Sequence, residues 1–248
     1  LYKVRAQVRG SASPEMVVSS FYDWYLGYIG EGPERNNPLV NRVYHESPLL
    51  TNRFVREVDA RLDSFERGGY DPFLLAQDVP DSVSVGESVV CDDVAHVRVE
   101  TSFGGHAFLV SLERTAGVWQ IDGIAQTPDA LVQSFYDRYL AYIGQGSDAM
   151  RNPLMDGYYR ECPELSDGFV AKVGEAIASF DKGGFDPILL AQDIPVAVVV
   201  QRPQFVGCEA QIPVEMLWGG NPEPSRCVVT ARRIDRCWRI VGIDRAEW

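Results

Sequence analysis

The sequence predicts an α+β fold made of two consecutive homologous domains, each with about three helices packed on a curved antiparallel sheet. Three observations support this prediction: a long internal repeat, helical periodicity in the first part of each repeat, and two-residue alternation in the second part. Runs of helices followed by runs of strands are typical of α+β domains. The first domain is expected over residues 13–125 and the second over residues 127–246.

The repeat is visible in two long motifs that recur in the same order. The segment FYDWYLGYIG, which begins at Phe21, returns as FYDRYLAYIG from Phe135. The segment DPFLLAQDVP, which begins at Asp71, returns as DPILLAQDIP from Asp186. A spacing of about 115 residues has the size of a domain rather than of a solenoid repeat. The connection between the two copies is very short, so the two domains are expected to pack on each other.

Each copy contains three predicted helix starts. Ser13 and Thr127 are good N-caps because a proline and then an acidic residue follow each of them. Glycines 30 and 144 are suited to end these first helices. A second, short helix is expected after an asparagine–proline pair, and a third after a Thr or Ser cap; the residues concerned are Asn37, Asn152, Thr51 and Ser166.

Two-residue alternation follows the helices and predicts strands with one solvated face. In the first copy Ala95, Val97 and Val99 alternate with polar residues, among them His96, which is expected to face solvent. In the second copy Pro213 interrupts the corresponding strand. Proline cannot donate to a strand ladder, so an edge strand or a bulge is expected there.

Composition and charge narrow the classes of function. Of 248 residues, 46% are hydrophobic, which is enough for a packed core in each half. The net charge of −12 disfavours binding to a nucleic acid, whose phosphates repel an acidic surface. No apolar run is long enough to span a membrane. The chain begins at Leu1, which leaves open a signal peptide or lipid anchor that was removed. Five cysteines without a CxxC spacing do not indicate zinc.

The motifs F-Y-x-x-Y-L-x-Y-I-G and D-P-x-L-L-A-Q-D resemble a bacterial family of uncharacterised proteins, domain of unknown function 3828. The likeness covers both repeats, and the second motif is its specific part. The resemblance implies a cone-like fold of the nuclear transport factor 2-like, or SnoaL-like, superfamily and a location in the cell envelope or outside the cell. It implies no catalytic residues.

The candidate ligand-binding residues are the polar side chains that both copies keep inside apolar segments, together with one tyrosine of each first helix. They are Asp71, Gln77, Asp78, Tyr25, Asp186, Gln192, Asp193 and Tyr139. A structural interpretation competes with this one. An Asp-Pro pair forms an Asx-type turn, the Gln-Asp pair can cap backbone groups, and aromatic residues at helical spacing usually belong to the core.

The leading functional hypothesis is a non-enzymatic protein, needing no cofactor or metal, that binds a small molecule or a protein partner. The first alternative is an isomerase, dehydratase or hydrolase of the SnoaL-like kind with an active site only in the first repeat. His106 or His96 would be its base, because all three histidines of the chain lie in that repeat. The second alternative is a purely structural interaction module. No phosphate-binding loop, dinucleotide fingerprint or serine-hydrolase motif is present.

Overall fold

The computed structural model describes residues 12–30, 36–64, 69–144, 151–179 and 184–246, and it confirms the α+β class. The chain divides into two compact units, with the boundary between Thr127 and Pro128. In each unit two α-helices and one short 3₁₀ helix precede an antiparallel sheet. Within the described residues, no helix is long and apolar enough to cross a membrane.

The first unit contains a four-stranded sheet in the order β1-β2-β3-β4, a simple antiparallel meander. Its elements are α1 (Pro14–Gly30), the 3₁₀ helix Val43–Glu46, α2 (Asn52–Asp63), β1 (Val83–Cys91), β2 (Val94–Thr101), β3 (Ala107–Thr115) and β4 (Val118–Gln126).

The second unit has a five-stranded antiparallel sheet in the order β5-β7-β8-β9, with β6 paired to β7 beside β5. Its elements are α3 (Pro128–Gly144), the 3₁₀ helix Tyr158–Glu161, α4 (Asp167–Ala178), β5 (Ala197–Val200), β6 (Gln204–Val206), β7 (Glu209–Trp218), β8 (Asn221–Ile234) and β9 (Cys237–Arg245).

The helix ends follow the predicted caps, with one exception. The side chains of Thr51 and Ser166 accept hydrogen bonds from the backbone amides three residues later and so start α2 and α4. The prediction that a short helix begins directly after Asn37 is wrong. A turn comes first, and only a 3₁₀ helix follows it. Arg42, and Gly157 in the second unit, adopt left-handed backbone conformations with φ of 50° and 76°, which a continuous helix does not allow.

The core of the first unit is aromatic and closely packed around the face of α1. Rings of Phe21, Tyr22 and Tyr25 are fully buried, and the Phe21 and Tyr25 rings lie within 5.3 Å of the Phe73 ring, measured between centroids. The Tyr22 hydroxyl donates to the Phe73 carbonyl at 2.8 Å. Side chains therefore fill the space between α1 and the sheet.

Pro213 lies in the central strand β7, not at an edge. Its neighbour strand is interrupted instead: β5 ends at Val200 opposite Val214, and β6 begins at Gln204 opposite Gln211. In the first unit the same place in the ladder has a bulge in β1 between Val85 and Ser88. The proline thus occurs where the ladder is already broken, so the missing N–H removes no sheet hydrogen bond on that side.

The prediction that His96 faces solvent is wrong. His96 is buried, and its Nδ1 lies 3.0 Å from the Ser111 hydroxyl on β3. Its neighbours Ala95 and Val97 are buried as well, so both faces of β2 are covered at this point. Alternation predicts exposure only where one face of a sheet meets water, and that condition fails here.

Candidate functional site

Each unit has one open groove between the end of its first helix, the asparagine–proline turn and the Asp-Pro segment. The first groove has a volume of about 560 Å³ and the second of about 550 Å³. Every residue that lines the first groove has its repeat counterpart in the lining of the second. The shared positions include Ile29, Asn37, Tyr70, Asp71 and Gln77, matched by Ile143, Asn152, Phe185, Asp186 and Gln192.

One wall of the first groove is a turn that Asn37 fixes. The Asn37 Oδ1 accepts hydrogen bonds from the amides of Leu39 at 3.0 Å and Val40 at 3.1 Å. Behind this turn the Asn41 side chain donates to the Tyr28 hydroxyl of α1 at 2.9 Å. These bonds hold Val40 away from the core with its side chain in solvent.

Asn152 fixes the equivalent turn of the second groove by the same bonds. Its Oδ1 accepts from the amides of Leu154 at 3.1 Å and Met155 at 3.2 Å. The Tyr142 hydroxyl of α3 donates to Asp156 Oδ2 at 3.1 Å, which ties the turn to the helix. The turn therefore has the same hydrogen bonds in both units. The bond that joins it to the helix differs: the helix tyrosine accepts from an asparagine amide in the first unit and donates to an aspartate in the second.

The opposite wall of the first groove depends on Asp71. Its Oδ1 accepts from the amides of Phe73 at 2.8 Å and Leu74 at 3.2 Å, and its Oδ2 accepts from the Tyr25 hydroxyl at 2.7 Å. Its own amide donates to the Ala76 carbonyl at 2.8 Å and closes the loop. Burial raises the pKa of the Asp71 carboxyl, although these hydrogen bonds oppose the rise.

Asp186 makes the same set of contacts in the second unit. Its Oδ1 accepts from the amides of Ile188 at 2.7 Å and Leu189 at 3.1 Å, and its Oδ2 accepts from the Tyr139 hydroxyl at 2.7 Å. Burial raises the pKa of both this carboxyl and the Tyr139 hydroxyl. Two aspartates and two tyrosines among the predicted ligand-binding residues therefore make intramolecular bonds that shape a groove wall.

The other predicted residues are exposed. Gln77 lines the first groove, and Gln192 and Asp193 line the second. Asp78 is exposed beside Gln77 but does not line the first groove. Their role in ligand binding stays a prediction, and their placement leaves their polar groups available to a bound molecule.

The grooves also expose large apolar side chains that the sequence did not indicate as functional. Val40 and Met155, at equivalent positions, are each 76% exposed. Two further apolar pairs at equivalent positions are also exposed, namely Tyr70 with Phe185 and Val79 with Ile194. The sequence did contain a signal for these side chains. Both copies keep an apolar residue at each of these positions, although no helical or strand periodicity requires one there.

Charge around the grooves is mostly negative. The exposed carboxylates are Asp78, beside the first groove, and Asp193, in the lining of the second. Arg151 is the one cationic side chain among the described residues that line the two grooves, and its guanidinium stacks over the Tyr142 ring at 5.2 Å. Neither lining, as described, includes a histidine, cysteine or serine.

The histidines proposed as bases lie elsewhere. His106 is partly buried, with Nδ1 3.1 Å from the Thr101 hydroxyl and Nε2 3.3 Å from the Leu75 carbonyl. His96 contacts Ser111, as described above. The sequence missed a third arrangement, in which His45 Nε2 lies 2.9 Å from Asp59 Oδ1 on α2.

Asp59 is the centre of a small surface cluster in the first unit. Besides the His45 contact it accepts from the Tyr44 hydroxyl at 2.5 Å and pairs with Arg42 at 3.4 Å. Burial by itself would raise the Asp59 pKa, but the hydrogen bonds from Tyr44 and His45 and the Arg42 charge lower it. The second unit has Gly174 in place of this aspartate, so the cluster belongs to one unit.

Comparisons with known proteins find structural similarities with low TM-scores. No protein-family model and no curated protein matches the chain. The chain is similar to a chain of the type VI native effector–immunity complex Tae3–Tai3 from Ralstonia pickettii, at 24% identity over 49% of this chain and 96% of that one, with a TM-score of 0.39. The selenomethionine form of that complex gives 23% identity, 49% and 98% coverage, and a TM-score of 0.37.

A cystatin-like protein from Ruminococcus gnavus is a more distant likeness. It is 10% identical, covers 68% of this chain and 70% of its own length, and has a TM-score of 0.19. With TM-scores below 0.5, these likenesses carry no functional conclusion for the chain.

Proposed function

We propose that this protein is a non-enzymatic binding protein and that each of its two grooves docks a segment of a partner protein. The supporting observation is the same open groove in both units, with an exposed apolar side chain at the same three positions. Soluble proteins rarely expose such clusters unless they serve an interaction. The rigid turn at Asn37, like that at Asn152, presents the most exposed of these side chains without further ordering cost.

The occupant we propose is a large apolar side chain flanked by basic residues. The groove residues supply apolar surface for the anchor. The exposed carboxylates of Asp78, beside the first groove, and Asp193, in the second, together with the net charge of −12, favour a cationic neighbour. A segment that inserts one anchor side chain is favoured over an enclosed small molecule because both grooves are open and the core beneath them is filled by rings such as Tyr25.

The test uses labelled peptides with one central Trp or Leu between Lys and Arg residues, and matched peptides between Glu residues, in fluorescence anisotropy. Val40→Asp and Met155→Asp each place a carboxylate in one groove. Losing burial of an anchor costs about 2 kcal/mol, so affinity at the altered groove should fall roughly thirtyfold.

At peptide concentrations too low to fill a groove weakened roughly thirtyfold, the number of basic peptides bound per chain should fall from two to one in each single variant and to none in the double variant. Val118→Asp, which changes a half-exposed valine outside both grooves, is the matched control and should bind like the wild type. Unchanged binding in the double variant, or equal binding of acidic and basic peptides, would refute the proposal.

An enzyme confined to the first unit is the second candidate, favoured by the His45–Asp59 contact alone. The histidine ring is exposed, and the aspartate already accepts from Tyr44 and Arg42. An activity with acyl or carbonyl substrates that disappears in His45→Ala and persists in Met155→Asp would favour this candidate over the first.

We further propose that the two units arose by duplication of one cone-like, SnoaL-like domain of the family named above. The recurrent motifs and the matching bonds of Asp71 and Asp186 support duplication. A location in the cell envelope or outside the cell is proposed from the family resemblance alone. Fractionation of cells that express the complete gene, with detection of this protein, tests the location.

A further inference from the structure

The two units differ where the second α-helix meets the last β-hairpin. In the first unit Arg53, in the first turn of α2, reaches across to β4. Its guanidinium pairs with Asp122 and with Glu57, and Asp122 also accepts from the Thr51 hydroxyl at 2.9 Å. Asp122 is 3% exposed, so the arginine fills this junction and neutralises a buried carboxylate.

The second unit has lost all three members of this ion network. The counterparts of Arg53, Glu57 and Asp122 are Gly168, Lys172 and Val241, as the helix caps and strand registers align them. A side-chain carbon placed on Gly168 would meet nothing within 4 Å. A cavity of about 540 Å³ opens here, lined by these three residues and by the hairpin.

The two junctions differ in charge as well as in shape. At the facing hairpin position, Glu113 and Gln120 of the first unit pair across β3 and β4, whereas Arg232 and Arg239 pair across β8 and β9. The Arg232 guanidinium forms an ion pair with Glu209. Arg239 therefore contributes a cation that its counterpart in the first unit lacks.

Within the described residues, two cations of the cavity have no ionic partner. Lys172 and Arg239 both line it, and within the described part of the chain neither has a carboxylate or carbonyl partner. Two carboxylates also line the cavity, Asp167 and Asp235. No ion pair joins either carboxylate to Lys172 or Arg239 in the residues described, so the two cations can both turn to a bound anion.

We propose that this cavity of the second unit binds a small oxyanion, a carboxylate or phosphate group, between Lys172 and Arg239. A guanidinium offers a planar pair of donors to such a group, and an ammonium adds a point charge. The anion would complete in the second unit the charge pairing that Arg53 and Asp122 complete within the first. The site is independent of the two grooves and of what they bind.

The experiment is titration calorimetry of the full chain with inorganic phosphate and, separately, with succinate, at low ionic strength where screening is weakest. Arg239→Gln and Lys172→Glu each install the residue of the first unit at that position. Each should weaken binding at least about tenfold, because a charge-assisted bond to the anion is lost. Arg226→Gln removes one positive charge of the unit outside this cavity and both grooves and should leave the affinity unchanged.

The two probes separate the sources of the anion: a site for phosphorylated ligands prefers phosphate, and one for carboxylates prefers succinate. Equal binding by wild type, Arg239→Gln and Lys172→Glu, or no binding of either probe to the wild type, would overturn the proposal. Circular dichroism of each variant guards against unfolding. If Arg239→Gln unfolds, Lys172→Glu, at an exposed position of α4, decides the result.

Discussion

Replacement of Asp71 by alanine tests whether this carboxylate is a structural anchor of the groove wall. The change removes three accepted hydrogen bonds: those from the Tyr25 hydroxyl, the Phe73 amide and the Leu74 amide. Leu74 keeps a second acceptor, the Asp71 carbonyl at 3.2 Å, so two donors lose their partner. At about 1.5 kcal/mol for each buried unsatisfied donor, the first unit should lose about 3 kcal/mol of unfolding free energy.

The loss is measured by urea unfolding followed by circular dichroism and by calorimetry. For a unit of this size the melting temperature should fall by roughly 3–5 °C per kcal/mol, or roughly 10–15 °C in total. Asp71→Asn, whose amide oxygen can still accept from the backbone, should cost less than about 1.5 kcal/mol. Asp186→Ala should destabilise the second unit at least as much, because its carboxylate accepts the same three hydrogen bonds.

Asp78→Ala is the matched control, since that carboxylate is exposed and surface substitutions usually change stability by about 0.5 kcal/mol or less. If Asp71→Ala is no more destabilising than Asp78→Ala, the assignment of Asp71 as an anchor is wrong. Its carboxylate would then be available for a ligand, as the ligand-binding hypothesis requires.

Three further predictions follow. Hydrogen bonds, chiefly from side chains, lower the pKa of Glu15 from 4.5 to about 2, so its contribution to stability is present above pH 4.5 and lost as the pH falls through about 2; thermal midpoints of Glu15→Gln should differ from wild type above that window and converge below it. Arg53→Met should cost the first unit about 3–5 kcal/mol in urea unfolding, because Asp122 is left buried without its cation; a cost below 1 kcal/mol would contradict this. In the folded protein an aromatic disulfide reagent should label exposed Cys237 quickly and Cys227 slowly, since burial raises the pKa of the Cys227 thiol to about 11; equal rates would contradict the burial.

Much of the secondary structure was predictable because it is encoded locally. The helix starts after Thr51 and Ser166 follow from a side-chain cap that bonds only three residues along the chain. The expected helix after Asn37 failed because the left-handed Arg42 has no signal in a residue type that usually avoids that conformation. The predicted exposure of His96 failed because alternation along a strand does not report whether its second face is covered.

The candidate site was predictable only in part. Retention of the Asp-Pro and Gln-Asp pairs in both repeats pointed to the segment that forms a groove wall. The pattern could not divide that segment into Asp71, which is held by the tyrosine of α1, and Gln77, which is exposed in the groove. That division depends on a contact between residues 46 positions apart.

The sequence by itself determined the α+β class, the internal repeat and the helix caps, because periodicity and capping act over a few residues. Only the tertiary structure decided that Val40 and Tyr70 share one groove, and that Arg53 fills a junction which Gly168 leaves open. The physical reason is that burial, hydrogen-bond partners and cavities are properties of segments far apart in the chain. They are fixed only when helices and sheet pack together.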